Sequence, residues 1–328
     1  VRIGIVGAGA VGGFFGARLA SSGQDVTLFD KPDVIEPIAK RGLTILGGSS
    51  DRSSTTTCFR ATADLSVAGV QDVVIFATRA DTMRDAAPFV AGMCAGHTSV
   101  VTVQNGLPWW YFSGASEHEF PPTLKSLDPT GAISQHIDPA RIIGCVVYPA
   151  LEVIEPGVIR HVYGSRVPIG EADGTISSRL QILSRTLESA GLRSRVLTDI
   201  RSELWLKALG ACVLNPVSVL TRATLAGMCN DPHLRQTIYS AMFEAQSVAH
   251  ALGIRFRRTI DERIAGAASV GEHKTSMLQA FEAGLPLELE ATTGIVCELG
   301  RLTRTPTPLL EAIYACTKVL AERVGCGS

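Results

Sequence analysis

The sequence predicts an α/β amino-terminal domain followed by an all-α carboxyl-terminal domain. Three observations predict this. The chain opens with an apolar strand, residues 1–6, that runs into Gly7-Ala8-Gly9-Ala10-Val11-Gly12 and then a helical pattern to Leu19. Up to Leu197, short apolar runs rich in β-branched residues recur between helical and turn segments, the pattern of strands buried in a mostly parallel sheet. From Ile200 the strand patterns stop, and helical periodicity punctuated by Gly and Pro takes over. The boundary falls near Thr198, giving domains 1–198 and 199–328.

In the glycine motif each residue has a physical task. Gly7 permits the tight turn, Gly9 lets a pyrophosphate approach the backbone, and Gly12 lets the helix sit close on the sheet. The N–H groups of the turn, Ala8, Ala10 and Val11 included, and the positive end of the helix suit phosphates. The next strand ends on Asp30, 23 residues after Gly7, where an acid meets the adenosine ribose hydroxyls. Strand, glycine turn, helix, strand and acid together mark a Rossmann-type dinucleotide-binding domain. Asp30 favours NAD, because its charge repels a 2′-phosphate. Lys31 beside it favours NADP by pairing with that phosphate. The acid tips the expectation to NAD.

Residues 42–60 alternate around a Ser/Thr/Gly-rich middle, as a hairpin does. Residues 72–78 and 99–103 read as buried parallel strands. Arg79 follows the first, at the carboxyl end where doubly wound sheets bind ligands, and is a cofactor candidate. Gln104-Asn105-Gly106 follows the second. Asn105 reads either as a turn residue or as a contact to the nicotinamide ribose or the substrate. Trp109, Trp110, Tyr111 and Phe112 put four aromatics on a loop before a polar stretch to Pro139, either a lid or packing beneath a long insertion. Further strands are expected at 142–147, 158–163 and 166–170, a helix at 177–190, and a short closing strand at 195–197.

The 328 residues are 46% apolar, enough for two cores, and 30 basic against 31 acidic residues give no reason to expect nucleic acid or an anionic membrane as partner. Eight scattered cysteines without a C-x-x-C pair suit the reduced thiols of a cytoplasmic protein, and with seven histidines they show no metal spacing. No signal peptide precedes the first strand, and no apolar run of about 18–20 residues lacks a charge, so neither leader nor membrane span is expected.

In the second domain helices are expected at 200–221, 231–252, 258–269, 274–283, 288–303 and 309–324. Within the first, Lys207 is a lone lysine among Leu206, Ala208 and Leu209. It shares a stripe with Ala211, Asn215 and Ser218 on a helix of about 3.6 residues per turn. Most helical lysines are solvated or snorkel. A desolvated one gives up its proton near neutrality, which fits it to serve a developing alkoxide. Pro216 removes a backbone donor, frees a carbonyl, and is expected to kink or end the helix. Ser276, and Glu288 with Glu290 alternating with leucines at a helix start, complete the candidates. On structural grounds alone these are a helix hydroxyl and acids favoured by the helix dipole.

These residues resemble the ketopantoate reductases (2-dehydropantoate 2-reductases) over nearly the whole chain. The resemblance rests on Gly7-x-Gly9-x-x-Gly12, Gln104-Asn105-Gly106, Glu203-Leu204-Trp205-x-Lys207 with Asn215-Pro216 eight residues later, Thr275-Ser276-Met277-Leu278-Gln279, and Glu288-x-Glu290. It implies NAD(P)H-dependent reduction of a small 2-oxo acid between a Rossmann domain and a helical domain. It implies Lys207 as general acid, Asn105 between cofactor and substrate, and Ser276 on the substrate carboxylate. Asn215 would hydrogen-bond the substrate, and Glu288 would pair with Lys207 or the substrate hydroxyl. The sequence departs from the family pattern twice: Arg79 stands where a lysine is usual, and Ala211 where an asparagine is usual one turn after the lysine. The long stretch from Trp109 to Pro139 also marks a divergent branch. The identity of the 2-oxo acid therefore stays open. A dehydrogenase of another 2-oxo or hydroxy acid is one alternative, and a dinucleotide sensor without turnover is a second. Monomer and homodimer are both compatible with the sequence.

Overall fold

The computed structural model describes residues 1–47, 53–80, 82–113 and 124–326. Its contacts divide the chain into two units. One comprises Val1–Gln104, Trp110–Glu117 and Thr130–Ile200, the other Asn105–Trp109, His118–Pro129 and Arg201–Ser328.

The strands of the first unit are β1 (Arg2–Val6), β2 (Asp25–Phe29), β3 (Leu43–Gly47), β4 (Ser54–Thr56), β5 (Arg60–Thr62), β6 (Val73–Phe76), β7 (Ser99–Thr102), β8 (Ile142–Cys145), β9 (Ala150–Glu155), β10 (Val158–Tyr163) and β11 (Ile169–Glu171). A seven-stranded sheet has the order β11-β8-β7-β6-β1-β2-β5. Its pairings are parallel except that of β11 with β8. Every residue of β6, β7 and β8 is buried, which is why these strands read as unbroken apolar runs. The strand order reverses at β1, so the carboxyl ends of β1 and β6 flank the crevice where such sheets take ligands.

A second sheet, β4-β3-β10-β9, packs on α1 (Ala10–Ser21). This helix is close to both layers: a Cβ on Gly13 would lie 2.5 Å from Ile159, and one on Gly16 would lie 2.9 Å from Leu28. The remaining helices of the unit are α2 (Pro32–Arg41), α3 (Met83–Gly92), α4 (Ala132–His136) and α5 (Ser178–Ser189).

The expected hairpin at 42–60 is present as β3 and β4, but residues 48–52 lie outside the described residues and Arg60 instead begins β5 of the larger sheet. The expected closing strand is reduced to isolated bridges. Residues 193–197 bond alternately to the segment before and within β11, through Val167 N–H to Arg193 O, Ile169 N–H to Arg195 O and Leu197 N–H to Ile169 O. The aromatic run is core. Trp110 is fully buried and donates its indole N–H to Thr102 Oγ1 at 2.9 Å, and Tyr111 meets Phe112 edge-on at 5.1 Å. Packing, not a free lid, is the role of these side chains.

The second unit contains α6 (Ile200–Thr221), α7 (Leu225–Asn230), α8 (Pro232–Ala251), α9 (Ile260–Ala268), α10 (Ser276–Glu282), α11 (Ile295–Leu302) and α12 (Pro308–Arg323). Starts are capped by side chains: Asp231 for α8, Thr259 with Glu262 in a capping box for α9, and Thr275 for α10. The expected helix 288–303 is present as a π-helical turn, Glu290–Gly294, that runs without a break into α11. Helix α6 is long and apolar enough to cross a membrane by length and composition alone. Yet 61% of its most apolar 18-residue window is buried inside the structure, as in a core helix. Trp205, Leu209, Cys212, Val213, Ser218 and Val219 are among its fully buried side chains.

Candidate active site

In the first unit the site begins where β1 ends. Gly7 has φ of +100°, and a Cβ there would lie 2.7 Å from the backbone of Ala77 beyond β6. A Cβ on Gly12 would lie 1.8 Å from Gly7 O, so α1 and the turn approach as closely as backbone allows. Gly9 is different. It is exposed, and a Cβ there would meet no atom within 4 Å. It heads α1 without any side-chain cap, so a ligand can bring its own oxygens to the helix N-terminus.

Asp30 does more than the sequence suggested. Its Oδ2 accepts the Ala8 N–H at 2.6 Å and its Oδ1 accepts the Lys31 N–H at 2.7 Å. The acid therefore pins the glycine turn as well as standing at the end of β2. Each carboxylate oxygen keeps a second lone pair for a ribose hydroxyl. Lys31 is exposed and Arg79 half-buried. Two further residues were not among the site candidates read from the sequence. Thr78 Oγ1 and Gln104 Oε1, just past β6 and β7, are buried without a hydrogen-bond partner. Buried polar atoms of that kind at a sheet's ligand-binding edge await a polar ligand. The open Gly9, the uncapped helix and these orphaned atoms fit a nicotinamide dinucleotide.

In the second unit Lys207 Nζ donates to Asn105 Oδ1 at 2.6 Å. Lys207, Ala211 and Asn215 are half-buried along one stripe of α6, and Ser218 below them is buried. Asn105 is fixed by its neighbours. Gly106 has φ of +83°, and a Cβ on it would come within 1.8 Å of Ala291 O. Ser276 is exposed at the first position of α10. The cap of that helix, Thr275, shares a 2.5 Å hydrogen bond with Ser218, whose hydroxyl also reaches Asn215 O at 2.7 Å. Glu288 is half-buried just before the π turn, and its carbonyl accepts Thr292 Oγ1 at 2.8 Å. Thus Lys207 and Asn105 are in direct contact, and Asn215 and Ser276 are tied to the same framework through Ser218 and Thr275.

Pro216 does not end α6, which continues to Thr221. The proline deprives Cys212 O of its helical donor, four residues back. Thr293 Oγ1 supplies a replacement at 2.8 Å. The expected break is thereby avoided by a hydroxyl 81 residues away, which no local sequence signal announces.

A turn open to a pyrophosphate and a lysine bonded to an asparagine belong to the class of nicotinamide-dependent oxidoreductases. Residues 3–174 match the family model described as Ketopantoate reductase PanE/ApbA, and residues 199–321 match Ketopantoate reductase PanE/ApbA C terminal. The chain belongs to the ketopantoate reductase family. It is 44% identical over 329 residues to a 2-dehydropantoate 2-reductase of Mesorhizobium japonicum, covering 100% of both chains. A ketopantoate reductase candidate from Ralstonia solanacearum MolK2 superposes with a TM-score of 0.92 at 34% identity over 98% of each chain. A D-mandelate dehydrogenase in complex with NADH and anilino(oxo)acetate shares the fold, with a TM-score of 0.82 at 19% identity over 99% of each chain.

Proposed function

We propose that the protein reduces 2-dehydropantoate, a 2-oxo acid, to its 2-hydroxy acid with a reduced nicotinamide dinucleotide, and that Lys207 is the general acid. The observation that carries this reading is the 2.6 Å hydrogen bond from Lys207 Nζ to Asn105 Oδ1. It holds the ammonium at one position, as a proton donor must be held. When bound, the reduced nicotinamide supplies a hydride to the keto carbon. Lys207 gives the proton that the carbonyl oxygen then needs, and its charge stabilises the oxygen as negative charge develops there. Glu288 keeps Lys207 placed and charged or binds the substrate hydroxyl. Ser276 holds the substrate carboxylate and Asn215 a further polar group. Asn105, whose carbonyl oxygen faces Lys207, keeps an NH₂ to donate to coenzyme or substrate.

Gly7, Ala8, Gly9, Ala10, Val11 and Gly12 would hold the pyrophosphate, with Arg79 adding positive charge. Asp30 would bind the adenosine ribose. Its charge favours NADH, while exposed Lys31 is the residue placed to favour NADPH. A second reading, reduction of a different 2-oxo acid by the same machinery, is favoured by Ala211. This small apolar side chain sits one turn from Lys207 and offers the substrate no hydrogen bond.

Initial rates of NADH and NADPH oxidation with 2-dehydropantoate, beside a panel of other 2-oxo acids, test both readings. The first expects the largest kcat/KM on 2-dehydropantoate, and a larger value on another acid replaces it with the second. Lys207→Ala should lower kcat by a factor on the order of 10²–10⁴ while coenzyme binding persists. Near-wild-type turnover by that variant would remove Lys207 from the mechanism.

A further inference from the structure

The π-helical turn Glu290–Gly294 reaches the chain next to both partners of the Lys207–Asn105 bond. Its defining bond runs from the Ile295 N–H to Glu290 O, five residues back. Two of its residues reach different segments of the site. Ala291 O accepts the Leu107 N–H at 3.3 Å and lies against Gly106, so it fixes the chain next to Asn105. Thr293 Oγ1 holds Cys212 O, little more than one helical turn beyond Lys207 on α6. Both partners of the Lys207–Asn105 bond are thus anchored from one turn. Thr292 bonds back four residues to Glu288 O, just before the turn.

The turn itself is tied to α12. Glu290 Oε1 accepts from the Tyr314 hydroxyl and, at 3.1 Å, from Lys318 Nζ, which also lies 3.0 Å from the Tyr314 oxygen. Gly294 leaves space for this carboxylate: a Cβ there would lie 2.6 Å from Glu290 Oε2. The π winding has a purpose in this setting. With α winding the Ile295 N–H would bond to the carbonyl four residues back, Ala291 O, which here accepts the Leu107 N–H instead.

Resting on the reading of Lys207 as proton donor, we propose that the π turn positions Lys207 against Asn105 and that Thr293 is its positioning residue. The Thr293 hydroxyl sets α6 relative to the segment that Ala291 holds. Because Pro216 offers no N–H, the contact cannot be replaced by the helix's own backbone.

The test compares Thr293→Val, which keeps the shape and removes the hydroxyl, with Thr293→Ser, which keeps the hydroxyl. Thr293→Val should lower kcat by about 10–100-fold, with coenzyme Kd and coenzyme KM within about twofold of wild type. Thr293→Ser should restore kcat to within about threefold. A readout without substrate accompanies the kinetics: the titration of Lys207, followed by NMR of lysine-labelled protein. Its midpoint should move by about half a pH unit or more in Thr293→Val and stay in place in Thr293→Ser. If the wild type reduces no 2-oxo acid, the functional reading fails, and the Lys207 titration still decides the positioning role. Unchanged kcat and unchanged titration in Thr293→Val would overturn the proposal. So would a Thr293→Ser variant as impaired as Thr293→Val. If Thr293→Val does not fold, Tyr314→Phe carries the same readouts, because it removes one of the two side-chain bonds that tie Glu290 to α12 and keeps the ring.

Discussion

Replacing Gly9 by alanine adds a methyl group that meets no protein atom within 4 Å, at a residue whose φ of −71° any side chain tolerates. As a helix cap alanine is worse than glycine by about 0.5–1 kcal/mol. At roughly 2–4 °C per kcal/mol for a unit of this size, Tm should fall by no more than about 4 °C. On the proposed function, the methyl nevertheless stands in the way of the pyrophosphate oxygens that would bond to the turn. Losing two hydrogen bonds to charged oxygen at about 1.5 kcal/mol each removes about 3 kcal/mol. That raises the coenzyme Kd roughly 100-fold. Gly12→Ala is the contrasting perturbation. Its Cβ would lie 1.8 Å from Gly7 O, a backbone atom that cannot move without opening the turn. Overpacking of this kind costs about 3 kcal/mol or more, so Tm should fall by about 6 °C or more. Thermal unfolding by circular dichroism measures the first quantity, and calorimetric titration with NADH and NADPH the second. Binding of both coenzymes by Gly9→Ala within threefold of wild type would refute the reasoning, as would equal loss of stability in the two variants.

Thiol chemistry gives an independent check on burial. Burial pushes the Cys212 thiol far up, and burial, with Glu311 adding to it, pushes Cys297 up to about 11, whereas Cys58 and Cys316 are exposed. At pH 8 an alkylating reagent followed by peptide mass spectrometry should mark Cys58 and Cys316 first and Cys212 only on unfolding; early labelling of Cys212 would contradict the packing of α6. For pH, the Asp72 carboxyl is held below its ordinary value of 3.8, chiefly by the Arg2 N–H bonded to it at 2.8 Å. A lowered carboxyl pKa means stability that is present above the unfolded value and lost as pH falls through the folded one. The Tm gap between wild type and Asp72→Asn should therefore be present at about pH 5 and above and close as the pH drops below about 4; a gap that persists at about pH 2 would show that charge is not its source.

Much of the fold was legible because strong patterns agree with their surroundings. The strands ending at Phe76 and Thr102 are buried on both sides and carry β-branched residues, so sequence and position coincide. The helices after Ile200 follow apolar periodicity and, for α8, α9 and α10, a side-chain cap. Helices α2 and α3 were not anticipated, and each has a proline inside, Pro37 and Pro88, that argues locally against a helix. Strand β9 follows Tyr148-Pro149 and ends exposed at Val153, Ile154 and Glu155, so it lacks the buried run that marked its neighbours. The candidate residues Lys207 and Asn105 lie 102 positions apart, and only the folded chain shows that they touch. The Asp30 carboxylate was visible as an acid in the right place, but its grip on Ala8 was not. The π turn was invisible because the partners that its residues meet, Leu107, Cys212 and Tyr314, lie far away in sequence.

Pro216 and Thr293 also bear on how this chain can change. A proline in mid-helix is tolerated here because a distant hydroxyl answers the carbonyl it leaves bare. Substituting the proline returns an N–H to Cys212 O, so that this carbonyl no longer depends on a hydroxyl at 293 for a donor. Substituting the threonine first leaves a buried acceptor with no donor. Sequence drift therefore has a preferred order at these two sites: the proline can be lost before the threonine, whereas the reverse path runs through a damaged helix beside Lys207.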